Sequence, residues 1–396
     1  MSTPTRARRA LHVANNPVGA RKQVLPLALG LREAGWTVEI AAPPGPDAAE
    51  VERAGIRYVP LEISRSLASA RHAGSIARLA ALIRRGRYDV VHLHGPIPGA
   101  LGRVAAAASR ARVVYHCRGT LYEPEDASPA ARRMSRVYAG VERALAPLTA
   151  WALTLNTADA EDLERRARVP RGRITCLGVG GSGLDLRRWD ASRFTPGTVA
   201  AIRTGLGVPA DAWVAGYVGR IVREKGVMEL LEAFAAVARE REDTRLLMVG
   251  GALASDRDQR TVGEFRERVR ALGLEGRVVL TGWLDDPRDA IGAMDVLVLP
   301  SWREGFGQVL VEAGALGVPV VASASRGARQ AVVDGVTGLL VPVRDPEALA
   351  GALRRLAGDR ALAERMGRAA MERARSELSQ ERVVRTVLEV YDRVLG

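Results

Sequence analysis

The sequence predicts an α/β protein made of two successive doubly wound parallel sheets. Three observations carry that expectation. Short apolar runs alternate with helix-period segments, the pattern of strand-helix-strand units. Glycines mark many of the loops in which those runs end. The alternation halts once, at Gly178-Val-Gly-Gly-Ser-Gly183, and then restarts. A chain of 396 residues has enough surface to bury for two separate cores. Its 47% hydrophobic and 26% charged residues form an ordinary globular composition, which excludes collagen-like, coiled-coil and disordered readings.

In the first half, apolar runs at Leu11–Ala14, Val38–Ala41, Val90–Leu93, Val113–His116, Trp151–Leu155 and Ile174–Leu177 read as strands. Between them, helical patterns cover Gln23–Ala34, closed by Gly35, and then Ser66–Arg85, Ile97–Ser109, Pro129–Leu148 and Ala158–Arg168. The flexible stretch that ends at Gly183 is followed by polar Leu184–Gly197, so the domain junction is placed here. Strands resume at Trp213–Val218, Arg245–Val249, Val278–Leu280, Val296–Leu299, Val318–Ala322 and Leu339–Val341. From Pro346 to Gly396 the pattern is helical throughout.

Met1–Ala10 is polar and basic with no apolar run behind it, and nowhere do about 18 apolar residues follow one another. Neither a leader nor a membrane span is therefore expected. The two cysteines, Cys117 and Cys176, have no metal-ligand or CxxC spacing, which suits a reducing cytoplasm. The formal charge of +13 is almost all arginine, since lysine occurs only at Lys22 and Lys225. Beside so much alanine, that skew reads as a coding bias and gives little support to a nucleic-acid partner.

Doubly wound domains bind ligands at the carboxyl ends of their strands, so the active site is expected in the cleft between the two. In Gly216-Tyr-Val-Gly-Arg-Ile-Val-Arg-Glu-Lys-Gly-Val227 a strand runs through a loop into the helix Val227–Arg239. Gly219 lets backbone approach a ligand, while Arg220 and Lys225 place cations over the same loop, as a diphosphate requires. The alternative is a pair of surface charges. A second constellation, Pro300 to Pro319, sets Glu304 in a loop with Gly305, Phe306 and Gly307, ahead of a helix starting near Gln308 with Glu312 in its opening turns. The glycines free the helix-start amides for an anion or hydroxyl, and each carboxylate can accept a pair of vicinal hydroxyls.

Together these residues resemble the family 4 retaining glycosyltransferases of GT-B fold. The likeness lies in the Gly219-Arg220 to Glu224-Lys-Gly226 loop, the Glu304-Gly-Phe-Gly307 and Glu312 pair with seven residues between its carboxylates, and the Gly317-Val-Pro-Val-Val-Ala322 strand. Val333-Asp-Gly-Val-Thr-Gly-Leu-Leu340 and Asp345-Pro346 are similar to the family's ending. The resemblance implies a Rossmann-like acceptor domain over 1–183, a Rossmann-like nucleotide-sugar domain over 184–379, and a C-terminal helix, about 380–396, packed back on the first. It further implies that Arg220 and Lys225 grip the donor diphosphate and that Glu312 takes the ribose hydroxyls. Glu304, with the amides of Gly305, Phe306, Gly307 and Gln308, would hold the donor sugar.

The first half, through Val90-Val-His-Leu-His-Gly95, Ile97–Ala107 and Val113-Val-Tyr-His-Cys-Arg-Gly119, resembles the subgroup that extends lipid-linked surface polysaccharides. Gly180–Asp185 is similar to its turn before the linker, with Ser182 where asparagine is common. Many relatives carry histidine where Arg118 stands, next to the donor sugar; arginine there is expected to make the contact ionic.

All five histidines lie in the first half. His92 and His94, on one strand end, are assigned to opposite faces, with His94, nearest the loop, lining the site; His92 and His116 are assigned to packing. No third ligand at a metal spacing accompanies His92 and His94, so no metal is expected there. Asn15-Asn-Pro-Val-Gly-Ala-Arg-Lys22 reads either as a loop over the donor phosphate, with Gly19, Arg21 and Lys22 at work, or as an ordinary solvated loop. Asp256-Arg-Asp258 matches the DxD signature of metal-dependent sugar transferases but sits far from the position that signature takes.

The expectation is a retaining, metal-independent transfer of a hexose from a nucleotide sugar to a hydroxyl acceptor, with no cofactor. As the resemblance implies, the departing phosphate helps deprotonate the acceptor. That acceptor is a lipid-linked glycan or, in the competing reading, a soluble natural product. A nucleotide-sugar 2-epimerase shares the architecture but fits the glutamate pair poorly, and a nucleic-acid binder would lack aromatic platforms, aromatics being 4%. Arg132, Arg133, Arg136 and Arg143 in the Pro129–Leu148 segment, and five arginines in Ser66–Arg87, suit a helix lying on the inner leaflet of the plasma membrane or a packed surface helix.

Overall fold

A computed structural model of the chain describes residues 7–64, 69, 71–119, 129–253 and 258–396. The chain divides into two compact units, Met1–Gly183 with Gln380–Gly396, and Leu184–Ser379. Each is a parallel sheet with helices as connections.

The first sheet has seven strands in the order β3-β2-β1-β4-β5-β6-β7. They are β1 (Arg9–Val13), β2 (Thr37–Ala42), β3 (Arg57–Pro60), β4 (Val90–His94), β5 (Arg112–Cys117), β6 (Trp151–Thr154) and β7 (Ile174–Cys176). The order reverses between β1 and β4, the switch point at which such sheets open a crevice. Strand β3 was not among the predicted runs: it is a four-residue edge strand, Arg-Tyr-Val-Pro, whose arginine and proline suit an edge and break the apolar run.

Alternation along β1, β4 and β5 sorts their side chains into two sets. Leu11, Val13, Val91, Leu93, Val113, Tyr115 and Cys117 enter one apolar core with Leu79, Ile83 and Leu101. His12, His92, His94 and His116 stand on the intervening positions, and all are buried. The C-terminal helix Gln380–Leu395 packs on Leu25–Glu33, where a side chain at Gly30 would strike Val384. The segment from Pro346, read as helical throughout, holds three helices, Pro346–Gly358, Arg360–Glu377 and Gln380–Leu395; Asp345 caps the first and Asp359 the second.

The second sheet has six strands in the order β10-β9-β8-β11-β12-β13. They are β8 (Trp213–Val218), β9 (Thr244–Val249), β10 (Val278–Gly282), β11 (Val296–Leu299), β12 (Val320–Ser323) and β13 (Gly338–Val341). Here the order reverses between β8 and β11, so the loops leaving those strands flank the switch point.

Candidate active site

In the second unit, the loop after β8 and the loop after β11 are locked to each other. Gly226 takes a left-handed φ of +69°, and a Cβ there would lie 2.0 Å from the Pro300 carbonyl oxygen, so only glycine fits. The Trp302 amide donates to the Glu224 carbonyl at 3.0 Å, and the Trp302 indole donates to Glu229 Oε1 at 2.9 Å. This clamp sets Lys225 Nζ against Glu304 Oε1 at 2.5 Å, with side chains only 18% and 13% exposed. The two residues assigned separately to diphosphate and sugar are therefore one ion pair. Arg220, on the same loop, pairs with Glu224 at 2.8 Å.

Gly305 and buried Gly307 lead into the helix Gln308–Ala315, with Gly307 at φ +84° as its cap. Phe306 is 3% exposed, so it anchors the loop in the core. Glu312 is half-buried in that helix. Behind the loop, Gly327 N donates to the Glu304 carbonyl at 3.2 Å, and a Cβ there would lie 2.5 Å from Phe306 N. Gly327, Trp302 and Glu229 thus hold the site, although none stood out in the sequence because each lies outside the glutamate motif's two carboxylates or in another loop. Several polar atoms on these segments are buried without a hydrogen-bond partner among the described residues: Ser301 Oγ, Gln308 Oε1, Ser325 Oγ and Glu229 Oε2. Native interiors rarely leave such groups unmet, and here they gather on segments at or beside the switch point.

Gly219 closes β8, where Gly250 approaches it so nearly that a Cβ on Gly250 would sit 1.9 Å from the Gly219 carbonyl oxygen. Asp258 is consumed by capping: it accepts from the amides of Arg223 at 2.7 Å and Thr261 at 3.2 Å and from the Thr261 hydroxyl at 2.6 Å. These bonds hold its carboxyl below the usual range despite the opposing effect of burial. Asp256 lies outside the described residues, as do Ser66 and the start of its predicted helix.

In the first unit, Arg118 follows β5 and donates to His94 Nδ1 from Nε at 3.2 Å and Nη2 at 3.0 Å. It also donates to the Gln23 side chain and carbonyl, each at 3.3 Å. Gln23 stands there because residues 15–22 do not form the open loop read from the sequence. Asn16-Pro17 is a cap and first-turn pair, with Gly19 N donating to Asn16 Oδ1 at 2.5 Å, and a π-turn at Ala20–Val24 follows. Gly19 is therefore a capped helical residue, Arg21 is tied to Asp47 at 2.5 Å, and Lys22 is exposed.

His92 and His94 share one face, which corrects their assignment to opposite faces: residues two apart in a strand point the same way. Their rings stack 4.4 Å apart with planes at 6°. Register does the rest, pairing His12 with His92 and His94 with His116. His12 is the third imidazole that spacing did not reveal, and the nearest nitrogens of His12, His92 and His94 lie within 4.8 Å of one another. A metal needs lone pairs that converge in the ring planes, and stacked, nearly parallel rings cannot supply that. Burial pushes all four imidazoles well below the ordinary histidine range, His12 to about 3, and Arg118 adds to this, so the rings are neutral.

Comparison with known proteins places this arrangement. Residues 18–180 match the model of glycosyltransferase family 4, and residues 199–373 match that of glycosyl transferases group 1. A D-inositol 3-phosphate glycosyltransferase of Corynebacterium diphtheriae is 32% identical over 90% of this chain and 85% of its own. The chain belongs to glycosyltransferase family 4. A second D-inositol 3-phosphate glycosyltransferase, from Streptomyces avermitilis, is 34% identical over 74% of this chain, which spans only 62% of that relative's length. The capsular polysaccharide biosynthesis glycosyltransferase CapM of Staphylococcus aureus is 33% identical over 47% of each chain. Among solved structures, Anabaena Alr3699/HepE in complex with UDP-glucose superposes with a TM-score of 0.81 at 21% identity, over 97% of this chain and 99% of that one, which establishes the GT-B fold. This family 4 member is a glycosyltransferase, and its sequence resemblance was to the right family.

Proposed function

We propose that this family 4 enzyme transfers a sugar, with retention of configuration and without metal, from a nucleoside-diphosphate sugar to a hydroxyl of a lipid-linked glycan in surface polysaccharide assembly. The observation that carries the reading is the Lys225–Glu304 pair at the switch point of the second sheet, beside a helix start and unmet polar atoms. Arg220, Lys225 and the amides at Gly307 and Gln308 would meet the diphosphate as negative charge gathers on it in the transition state. Glu304 would accept from donor-sugar hydroxyls and Glu312 from the ribose, and Arg118, seated on His94, would be a further contact for the donor sugar. Gly219 would let backbone approach the phosphates. The donor complex of the Anabaena protein and the role in CapM's name support donor class and setting respectively.

A peripheral place on the inner leaflet is supported by the helix Pro129–Leu145. It exposes Met134, Val137 and Val141 at 56%, 57% and 42% on one stripe, flanked by exposed Arg132, Arg133 and Arg136. Apolar side chains amid cations suit an anionic bilayer. No described helix is long and apolar enough to cross a membrane. A soluble acceptor is the second reading, favoured by relatives named for D-inositol 3-phosphate.

The test is thermal unfolding against a panel of nucleotide sugars, since a ligand that binds only the folded state raises its apparent stability. One donor should stand out, and its incubation with lipid-linked or inositol phosphate acceptors should yield a glycoside. Formation of an epimer from the donor, or no shift with any donor, overturns the reading.

A further inference from the structure

Four imidazoles and a phenol in the first unit form one hydrogen-bonded chain whose direction is set at one end. Arg118 donates to His94 Nδ1, and a guanidinium has no acceptor, so that nitrogen carries no proton and the neutral ring holds its own on Nε2. His94 Nε2 meets His12 Nδ1 at 2.9 Å, which makes His12 the acceptor there and leaves its proton on Nε2. His12 Nε2 then donates to the Tyr391 hydroxyl at 3.3 Å, and Tyr391 donates onward to His92 Nδ1 at 2.7 Å. His92 Nε2 donates to His116 Nδ1 at 3.3 Å, and the chain ends on His116 Nε2, a buried nitrogen with no partner among the described residues. Each link follows from the one before, because a neutral imidazole has one donor and one acceptor.

We propose that this chain is a tautomer lock and that Tyr391, on the C-terminal helix, is a positioning residue for Arg118. Reversing the chain would turn the His94 Nδ1–H toward a donor-only guanidinium and drive Arg118 from its seat, so the lock keeps a lone pair aimed at Arg118. The phenol is the single member that joins the His12–His94 branch to the His92–His116 branch. It is fully buried, and burial pushes its titration well above the usual range, so it keeps the proton it must donate. Among the described residues, the titratable and charged groups that face the imidazoles from β1, β4, β5, the segment after β5 and the C-terminal helix are one another, Arg118 and Tyr391, and no carboxylate is among them. The catalytic consequence rests on the reading of Arg118 as a donor-sugar contact; the direction of the chain does not.

Nitrogen-15 NMR of the full chain at neutral pH tests the lock itself. His12, His92, His94 and His116 should all carry the proton on Nε2 with a bare Nδ1, and an Nδ1–H on any of the four overturns it. Tyr391→Phe keeps the ring but removes the hydroxyl, which leaves His92 Nδ1 without a donor and open to protonation. Turnover should fall by about tenfold to a hundredfold, as a misplaced contact group implies. The acid limb of kcat/KM should also move to higher pH, which loss of packing alone would not cause. An unmoved limb with undiminished turnover, in a variant whose circular dichroism is unchanged, overturns the positioning role. Arg118→Gln separates the two readings: undiminished turnover there removes Arg118 from the site, and the positioning role with it, while the tautomers still judge the chain.

Discussion

The carboxyl edges of the two sheets solve the same problem of burying polar groups in opposite ways. At the first, the groups are neutral imidazoles that satisfy one another in a chain, leaving one unmet nitrogen. At the second, a lysine and a glutamate pair with each other, and four polar atoms on the flanking segments stay unmet among the described residues. A chain of neutral groups that satisfy one another at every link but the last holds a shape, whereas an ion pair beside unmet polar atoms would suit a charged or hydroxyl-rich ligand. Under the proposed function the two edges divide the labour: the first would hold one cation in place, and the second would receive the donor.

Acid should separate the two units most strongly. The four buried imidazoles titrate far below 6.5 in the fold, so beneath that pH the unfolded chain binds protons that the native chain refuses. Their contribution is intact above about pH 6.5 and is lost as pH falls, by up to about 1.4 kcal/mol per pH unit for each ring that stays neutral in the fold. The window closes for His12 only near its folded value of about 3. Amide hydrogen exchange should therefore lose protection in β1, β4 and β5 on acidification while β8, β11 and β12 keep theirs, because the second unit contains no histidine. Simultaneous opening of both sheets would show that something other than these rings governs acid stability.

The two edges also differ in how far the sequence disclosed them. At the second, Lys225, Glu304, Gly307 and Gln308 come from two short segments, and each segment carries its own strand, glycine and helix start, so local reading found them. At the first, His12, His92, His94, His116 and Tyr391 come from four separate elements and meet only through parallel register and the return of the C-terminal helix. Alternation did hold the clue, since His12, His92 and His116 each lie between two core residues and His94 follows one. Using it required the strand order, and it required the face rule that had been applied the wrong way to His92 and His94. Strand β3 stayed hidden because an edge strand need not be apolar, and the helical turn at Pro17 because Asn-Pro suits a loop as well as a helix cap.

Next in size is the contrast between the two carboxylates of the second edge. Glu304 would sit beside a sugar ring flattening toward an oxocarbenium ion, so its bond strengthens as the reaction proceeds. Glu304→Gln also strips Lys225 of its charged partner. Turnover should fall roughly a hundredfold or more, the worth of one charged contact of about 3 kcal/mol. Glu312 would hold the ribose equally in ground and transition states, so Glu312→Ala should raise the donor KM about tenfold and leave kcat nearly unchanged. Steady-state kinetics with circular dichroism decide this, and near-normal turnover in the Glu304 variant would remove the centre of the site.

The smallest effect expected is none at all, and it bears on how the second edge handles charge. Arg220 and Lys225 already supply two cations on one loop, placed where the diphosphate of the leaving group would gather charge. Of the candidates for a divalent ion among the described residues, Asp258 accepts from the Arg223 and Thr261 amides and the Thr261 hydroxyl, and the His92 and His94 rings stack with planes at 6°, as does the His12 ring at 28° and 23° to them. Transfer should thus proceed at an unchanged rate in excess chelator, measured as glycoside formed per unit time. Loss of activity under chelator, restored by manganese, would mean that the charge at the leaving group is not met by these side chains, and would return attention to Asp256 and Asp258.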